Sequence, residues 1–357
     1  MSVLIIAEAG VNHNGDLAAA IGLIDAAADA GADIVKFQTF SADALASDAA
    51  PKAEYQRATT GQAGTQREML RLLELSKDDH HALITHCGKR GIAFLSTPFD
   101  GISLDFLIDD LDLPTIKVGS GDLDNGPLLH RIAAAGRKVI LSTGMATLDD
   151  VLAALQILAH GFVARGAVPS AAAIPDAYRS ARGQEALRKH VTLLHCTTEY
   201  PAPFADVNLR AMDAMRDVFG LPIGLSDHTP GIAVAIAAAA RGACIIEKHL
   251  TLDRNLPGPD HRASLEPREF ADLVRSVREV ESALGDGNKR PMTSEIKNRV
   301  VARKSLVAAR PIRCGELIDA DAIAMKRPGT GLSPMRYWDW LGKTADRNYA
   351  ADEPLGS

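Results

Sequence analysis

Residues 222–249, PIGLSDHTPGIAVAIAAAARGACIIEKH, contain one complete strand–helix–strand unit. The apolar runs 222–226 and 244–249 are short and rich in Ile and Leu, as expected of strands that are buried on both faces. Between them, the alanine-rich segment 230–241 is helical in character and ends at Gly242, the residue type that most often follows the last turn of a helix. This order of elements predicts two parallel strands in one sheet.

The same alternation extends over most of the chain. Helical patterns at 17–30, 78–90 and 126–135 also end at a glycine, and two insertions, 41–76 and 163–190, interrupt the series. Eight strand–helix units before about residue 285 predict an α/β fold of the (β/α)8 type, a TIM barrel. The remaining predicted strands are 3–8, 33–38, 92–96, 115–118, 138–142 and 191–196.

The character of the sequence changes after residue 284. The stretch GDGNKRPMTSE (285–295) is polar and contains Gly and Pro, which is typical of a linker. We therefore predict a barrel domain at 1–285, a linker at 286–298 and a small β-rich domain at 299–357. A domain of about sixty residues buries little apolar surface, so we expect it to pack against a larger body.

Composition and charge exclude several classes of protein. The 357 residues are 46% hydrophobic and 24% charged, as in ordinary globular proteins. The net charge of −6, with both signs intermixed, argues against general binding to nucleic acid. The longest apolar stretch, 232–240, is too short to cross a bilayer, and the N-terminus lacks the features of a signal peptide. Four dispersed cysteines fit a reducing compartment, so we expect a cytoplasmic protein with neither nucleic acid nor a membrane as partner.

Polar side chains occur at the predicted C-terminal end of every strand, which is where TIM-barrel enzymes carry their active sites. Charged groups on buried strands require partners or a ligand, because an unpaired buried charge is costly. The alternative is a set of structural salt bridges inside the barrel. These polar residues include Glu8, Lys36, Thr97, Lys117, Ser120, Asp122, Ser142, Tyr200, Ser226, His228, Glu247 and His249.

The substrate class follows from two lysines and two turns. Lys36 and Lys117, on separate strands, bring two cations to one pocket. The turns GSG (119–121) and STG (142–144) precede helical segments, so their backbone N–H groups can bind a phosphate or a carboxylate. Together these features predict a small phosphorylated or dianionic substrate.

A pair of histidines predicts a metal site. His228 and His249 end the adjacent strands seven and eight, and imidazole suits first-row divalent ions. Glu8 lies on the other side of strand eight once the barrel closes, where it can act on a metal-bound water or as a base. The alternative is a hydrogen-bonded histidine pair without a metal.

Other nucleophile and ligand candidates are weaker. Cys196 follows His195, but neighbours in a strand point to opposite faces, which argues against a thiol nucleophile activated by that histidine. Histidines on helical or insertion segments, such as His80 and His160, are expected at the surface.

These motifs resemble the sialic acid (nonulosonic acid) synthase family, which makes nine-carbon acids from phosphoenolpyruvate. The C-terminal segments KSLVAARPI (304–312) and KRPGTG (326–331) resemble the antifreeze-like (SAF) domain that follows the barrel in that family. The resemblance keeps the same order along nearly the whole chain. Its barrel segments are IAEAGVNHNGD (6–16), VKFQT (35–39), STPFD (96–100), KVGSGDLDN (117–125), ILSTGMA (140–146), LLHCTTEYP (193–201), GLSDHT (224–229), IEKHLTLD (246–253) and GPDH (258–261).

The resemblance implies a (β/α)8 barrel followed by a SAF domain, and a condensation of phosphoenolpyruvate with an open-chain N-acyl-mannosamine-type sugar. It implies that His228 and His249 bind a divalent cation, Mn²⁺ with Mg²⁺ or Co²⁺ as alternatives, and that Glu8 lies beside the metal-bound water. The positions that match phosphoenolpyruvate-binding groups are Lys36, Thr97, Lys117, Ser120, Ser142 and Ser226.

The resemblance also implies groups around the sugar. Tyr200, Asp260 and Asp122 match such positions, and Asp122 stands where relatives carry Glu. Arg327 matches the arginine of the terminal domain, which in that family swaps across a homodimer and would reach the partner's sugar.

Several alternatives stay open at this point. The sugar is either N-acetylmannosamine or 2,4-diacetamido-2,4,6-trideoxymannose, since both have an open-chain aldehyde and an acylated amine. A 3-deoxy-sugar-phosphate synthase of the phosphoenolpyruvate aldolase type would also be a metal-dependent barrel with lysines. A non-catalytic sugar-binding protein is the third possibility.

Overall fold

The computed structural model of the protein describes residues 2–356. The chain forms two compact units, of which the first ends at Gly285 and the second begins at Asp286. Among the described residues, no helix combines the length and the apolar character needed to span a bilayer.

The first unit is built on eight parallel strands, which confirms the predicted barrel. They are β1 (Leu4–Gly10), β2 (Ile34–Thr39), β3 (Ala93–Pro98), β4 (Thr115–Val118), β5 (Lys138–Ser142), β6 (Val191–Cys196), β7 (Ile223–Asp227) and β8 (Ile245–His249). Their order is β3-β2-β1-β8-β7-β6-β5-β4, so β1 pairs with β8 and curls the sheet toward closure. β3 and β4 are neighbours, but among residues 2–356 no hydrogen-bonded ladder joins them.

Helices connect the strands, and their termini follow from the sequence. The carboxylate of Asp16 accepts the N–H of Ala19 at 2.8 Å and starts α1. Gly91, with a left-handed φ of +68°, ends α5. The helices of this unit are α1 (Leu17–Asp29), α2 (Ala42–Leu45), α3 (Glu54–Thr60), α4 (Gln66–Arg71), α5 (Lys77–Arg90), α6 (Gly101–Asp105), α7 (Gly126–Ala134), α8 (Leu148–Val163), α9 (Ala173–Arg179), α10 (Ala181–His190), α11 (Ala211–Phe219), α12 (Ala233–Ala240) and α13 (Pro267–Leu284).

Both insertions fold into short helices. The segment 41–76 contains α2, α3 and α4, and the segment 163–190 contains α9 and α10. Single turns of π-helix or 3₁₀-helix occupy Phe106–Asp110, Ser120–Asp122, Phe204–Asp206 and His261–Ala263.

The side chains that point into the barrel are apolar at one end and polar at the other. The apolar side chains that fill the interior at one end are Ile6, Leu95, Ile140, Leu194 and Ile245. Successive residues point to opposite faces, so the residue two positions further along each strand also points inward. These next positions include Glu8, Ser142 and Glu247, so the C-terminal mouth of the barrel is lined with polar and charged groups.

The second unit has its own small core, which includes Leu306, Ile318 and Tyr349. Its antiparallel strands are β9 (Ser305–Ala308) and β10 (Ile323–Lys326), and its helices are α14 (Thr293–Ala302) and α15 (Tyr337–Trp340).

The predicted linker at 286–298 is only partly irregular, because α14 begins within it. The segment TSEIKNRVVA contains neither Gly nor Pro, and at its start the Glu295 carboxylate accepts the N–H of Met292 at 2.9 Å. The prediction of a linker weighed the Gly and Pro residues of 285–292 and missed this start signal.

Candidate active site

A cavity of about 660 Å³ opens at the C-terminal ends of the barrel strands. Almost all of the site residues predicted from the sequence line it. Those that do are Glu8, Lys36, Thr97, Lys117, Ser120, Asp122, Ser142, Tyr200, Ser226, His228, His249 and Asp260. Arg327 is not among them; it belongs to the second unit, where it is exposed and its Nε donates to the carbonyl of Ala302 at 3.0 Å.

Lys36 forms the first charged centre. Its Nζ lies 2.7 Å from Glu8 Oε2 and donates to Thr97 Oγ1 at 3.2 Å. The pairing follows from the register, since Glu8 lies opposite Lys36 across the β1–β2 ladder. Glu8 Oε1 also accepts a hydrogen bond from Gln38 at 3.1 Å. Burial raises the pKa of Glu8 in spite of the neighbouring ammonium, and the Lys36 pKa is raised because Glu247 and Glu8 outweigh the opposing effect of burial.

Lys117 forms the second charged centre, and Glu247 connects the two. Lys117 Nζ donates to Ser142 Oγ at 2.7 Å and lies 3.8 Å from Glu247 Oε1. The other carboxylate oxygen of Glu247 lies 3.8 Å from Lys36 Nζ, and Ser226 Oγ donates to Oε1 at 2.8 Å. Burial opposes ionisation of Glu247, but Lys117 and Lys36 outweigh it and lower the pKa.

Glu247 is the functional residue that the predicted site roles missed. It stands two positions before His249, so the strand period alone assigns it to the cavity face. That signal was present in the sequence, but its role as the carboxylate between two lysines depends on distances that only the fold supplies.

The two histidines of the predicted metal pair do meet. Their ring centroids are 5.4 Å apart. His228 Nδ1 donates to the carbonyl of Thr197 at 2.7 Å, which leaves Nε2 as the acceptor nitrogen. His249 Nδ1 is buried and has no hydrogen-bond partner among the described residues.

The pKa values of the two imidazoles are shifted in opposite directions. Burial, together with His228 and nearby lysines, lowers the pKa of His249 well below its usual value, so this ring is neutral. Burial also disfavours the charged form of His228, but the Cys196 thiol and the carbonyl of Thr197 raise its pKa.

The donor set fits a divalent cation with an open coordination sphere. A metal-binding histidine usually donates its second ring N–H to a carbonyl or carboxylate, as His228 does to Thr197. The unpaired, buried Nδ1 of His249 is a nitrogen donor that the protein itself does not satisfy. Within residues 2–356 no group of three or more His, Cys, Asp or Glu is placed to hold a metal ion.

Tyrosine side chains border the histidine pair. The ring of Tyr200 lies 4.2 Å from that of His228 and edge-on to His249 at 5.6 Å. Tyr55, from the 41–76 insertion, lies 5.0 Å from Tyr200 and also lines the cavity. Burial raises the pKa of Asp260, on the same cavity, to about 7.

The GSG and STG turns lie against each other. Ser120 Oγ accepts the N–H of Gly144 at 3.0 Å. A Cβ on Gly144 would lie 2.2 Å from Thr198 Oγ1, so only glycine allows this close approach. Asp122, in the same turn as Ser120, accepts a hydrogen bond from Asn125 at 2.9 Å.

One expectation about other side chains was wrong and another is confirmed. His80 and His160 are buried, not at the surface, and His80 Nε2 lies 2.9 Å from Thr39 Oγ1. Cys196 and His195 do not pair, as strand alternation predicts; the imidazole near Cys196 is that of His228, 3.8 Å from its Sγ. His80 shares one face of α5 with the buried Leu83 and Cys87, at spacings of three and seven residues, so the helical period could have assigned it to the barrel side.

The chain matches two family models. That of the NeuB family matches residues 23–289, and that of the SAF domain matches residues 303–356. N,N'-diacetyllegionaminic acid synthase of Campylobacter jejuni is 49% identical over 98% of this chain and 98% of its own length. The protein of the same name from Legionella pneumophila is 42% identical over 99% and 94%, and human N-acetylneuraminate-9-phosphate synthase is 36% identical over 95% and 87%.

Solved structures agree with this assignment. The N-acetylneuraminic acid synthetase of Leptospira borgpetersenii has 33% identity and a TM-score of 0.67, over 84% of this chain and 90% of that chain. A 3-deoxy-D-arabino-heptulosonate 7-phosphate synthase of Thermotoga maritima has a TM-score of 0.54 over 80% and 88%, but at 17% identity it shows a shared fold alone. The resemblance to sialic acid synthases is therefore confirmed: the chain belongs to the NeuB family, and its barrel is followed by a SAF domain.

Proposed function

We propose that this protein condenses phosphoenolpyruvate with 2,4-diacetamido-2,4,6-trideoxymannose to give N,N'-diacetyllegionaminic acid and phosphate. The relatives at 49% and 42% identity carry the name of that synthase. The observation that carries the chemistry is one cavity that contains both lysines, both histidines and Glu8.

The lysines are proposed to bind the two anionic groups of phosphoenolpyruvate. Lys36 and Lys117 lie on either side of Glu247, each 3.8 Å from it, so two ammonium groups face the same space. The hydroxyls of Ser120 and Ser142 and the adjoining turns would supply further donors. Binding both ends fixes the substrate and suppresses its charge before the second substrate arrives.

We propose that His228 and His249 hold a divalent cation, Mn²⁺ with Mg²⁺ or Co²⁺ as alternatives. Such an ion, when bound, acts as a Lewis acid that polarises the aldehyde oxygen of the open-chain sugar. The orientation of His228 by Thr197 and the unsatisfied Nδ1 of His249 support this assignment.

The remaining steps are assigned to side chains of the cavity. Carbon 3 of phosphoenolpyruvate attacks the aldehyde carbon, the electrons of the aldehyde double bond move to its oxygen, and an oxocarbenium centre remains at carbon 2. A water adds to that centre and gives one proton to Glu8, the carboxyl that lies beside Lys36, and this proton passes on to the new alkoxide. The tetrahedral intermediate then forms the ketone as the carbon–oxygen bond to phosphate breaks and the hydroxyl proton goes to the departing phosphate, while Lys36 and Lys117 stabilise the departing charge.

An apolar wall supports the trideoxy sugar over N-acetylmannosamine. All of its side chains line the cavity, and they pack on one another as a cluster separate from the barrel core. A wall of this kind suits a terminal methyl and acetamido methyl groups, whereas sugar hydroxyls would lose hydrogen bonds against it. We call this set the apolar wall; it consists of Val11, Phe40, Leu45, Met69, Leu70, Leu73 and Phe99.

The proposed function is tested by phosphate release from phosphoenolpyruvate and Mn²⁺ with the two sugars in parallel. We expect kcat/KM for 2,4-diacetamido-2,4,6-trideoxymannose to exceed that for N-acetylmannosamine by about 10-fold or more, the scale set by a few apolar contacts. Mass analysis should find a nine-carbon product without phosphate. Preference for N-acetylmannosamine would contradict the sugar assignment, and a phosphorylated sugar product would identify a 3-deoxy-sugar-phosphate synthase.

We further propose a cytoplasmic homodimer in which Arg327 of one copy completes the sugar site of the other. Arg327→Ala should then raise KM for the sugar by about 10-fold, with a smaller change in KM for phosphoenolpyruvate, because one charge-assisted hydrogen bond to the sugar is lost. Steady-state kinetics measure both constants, with Arg310→Ala in the same unit as control. An unchanged sugar KM would refute the role of Arg327.

A further inference from the structure

A buried ion pair lies behind the two histidines, on the side of the strands that faces away from the cavity. Lys248 Nζ lies 2.8 Å from Asp227 Oδ2, and neither side chain has any exposed surface. Asp227 precedes His228 and Lys248 precedes His249, so strand alternation directs this pair outward. Neither residue lines the cavity.

The pair encloses the backbone that carries His228. The other oxygen of Asp227, Oδ1, accepts the N–H of Thr229 at 2.9 Å and its hydroxyl at 2.8 Å. Lys248 also donates to the carbonyl of Thr229. The residues on both sides of His228 are therefore held by one ammonium group.

The same ammonium group ties β7 to β8. Asp227 and Lys248 are opposite one another in the β7–β8 ladder, at the C-terminal end of both strands. Beyond this point β7 has ended, so no further ladder hydrogen bond fixes His228 against His249. The ring of His228 is held instead by its hydrogen bond to the carbonyl of Thr197. His249 is positioned as the last residue of β8.

We infer that the Asp227–Lys248 pair is a positioning device that sets the separation of His228 and His249 for a divalent cation. Burying two charges removes them from water, and this loss of hydration is offset only when the ion pair has good geometry and further hydrogen bonds. A pair of apolar side chains of similar volume often gives the same stability. Here the pair connects the segment around His228, through its hydrogen bonds with Thr229, to the residue that precedes His249, which gives it a role that an apolar pair could not fill. The inference rests on the proposed metal site.

The test compares Mn²⁺ binding by the substrate-free protein, measured by titration calorimetry, with its thermal unfolding. Lys248→Met removes the ammonium group but leaves Asp227 buried and unpaired. The double variant Asp227→Asn, Lys248→Met removes both charges and is expected to regain much of the stability lost in the single variant. We expect both variants to bind Mn²⁺ about 10- to 100-fold more weakly, as is typical for loss of a group that orients a ligand.

Arg278→Met is the matched control. Arg278 also joins an ion pair, with Asp33 and Glu281, but next to the N-terminal ends of β1 and β2, away from the mouth. This variant should lower thermal stability and leave the Mn²⁺ dissociation constant unchanged.

The outcomes separate the inference from the proposed function. A folded double variant with the Mn²⁺ affinity of the unmodified protein would overturn the inference and leave the metal site intact. Failure of the unmodified protein to bind Mn²⁺ would overturn the metal site itself and the inference with it. If Lys248→Met does not fold, the double variant decides the question.

Discussion

Replacing His249 by alanine should lower turnover by about 10³-fold or more, because it removes one of the two imidazoles that converge at the cavity. The ring fills no part of the apolar core, so the barrel should remain folded. Phosphate release measures turnover, and titration calorimetry should show that Mn²⁺ binding is lost with it.

His86→Ala is the control for this experiment. That histidine pairs with Asp25 at 2.8 Å on the outside of the barrel, and its loss should leave turnover and Mn²⁺ binding unchanged. A His249→Ala variant that keeps normal rates in the presence of a chelator would show that the metal assignment is wrong.

Replacing Lys117 by methionine should lower kcat/KM for phosphoenolpyruvate by about 10²- to 10³-fold, the usual cost of losing a charged donor in a water-excluded site. Methionine keeps most of the buried volume but cannot donate to Ser142 or balance Glu247. The KM for the sugar should change far less, because the loss falls on one substrate.

Lys77→Met serves as the control, since that lysine pairs with Asp110 on the surface. Thermal unfolding of both variants separates a kinetic effect from a loss of stability caused by the less compensated Glu247. Unchanged kinetics for phosphoenolpyruvate in a folded Lys117→Met variant would rule out Lys117 as an anion-binding group.

Local sequence patterns were sufficient to predict the barrel and the side chains at its C-terminal mouth. Apolar runs bounded by glycine mark the strands, and a period of two places His249 and Glu247 on one face. The C-terminal mouth collects whatever the strand ends carry, so Lys36 and Lys117 could be assigned to one pocket before any distance was known.

Other features depend on contacts between distant segments and leave no local pattern. Tyr55 reaches Tyr200 because a short helix in the 41–76 insertion folds over the mouth, which its own sequence does not indicate. Strand alternation assigns Lys248 to the outer face, but its pairing with Asp227 requires the register of β7 against β8. The hydrogen bond between His80, on α5, and Thr39, on β2, likewise depends on how the two elements pack.

The location of the apolar wall has a consequence for how such enzymes diversify. Most of its side chains come from the segment that separates β2 from β3, whereas the charged groups come from the strands themselves. In the proposed function, the groups that select the sugar and the groups that make the bond therefore lie in different stretches of the chain. A substitution in the segment between β2 and β3 would change the fit to the sugar and leave the charged groups of the strands in place.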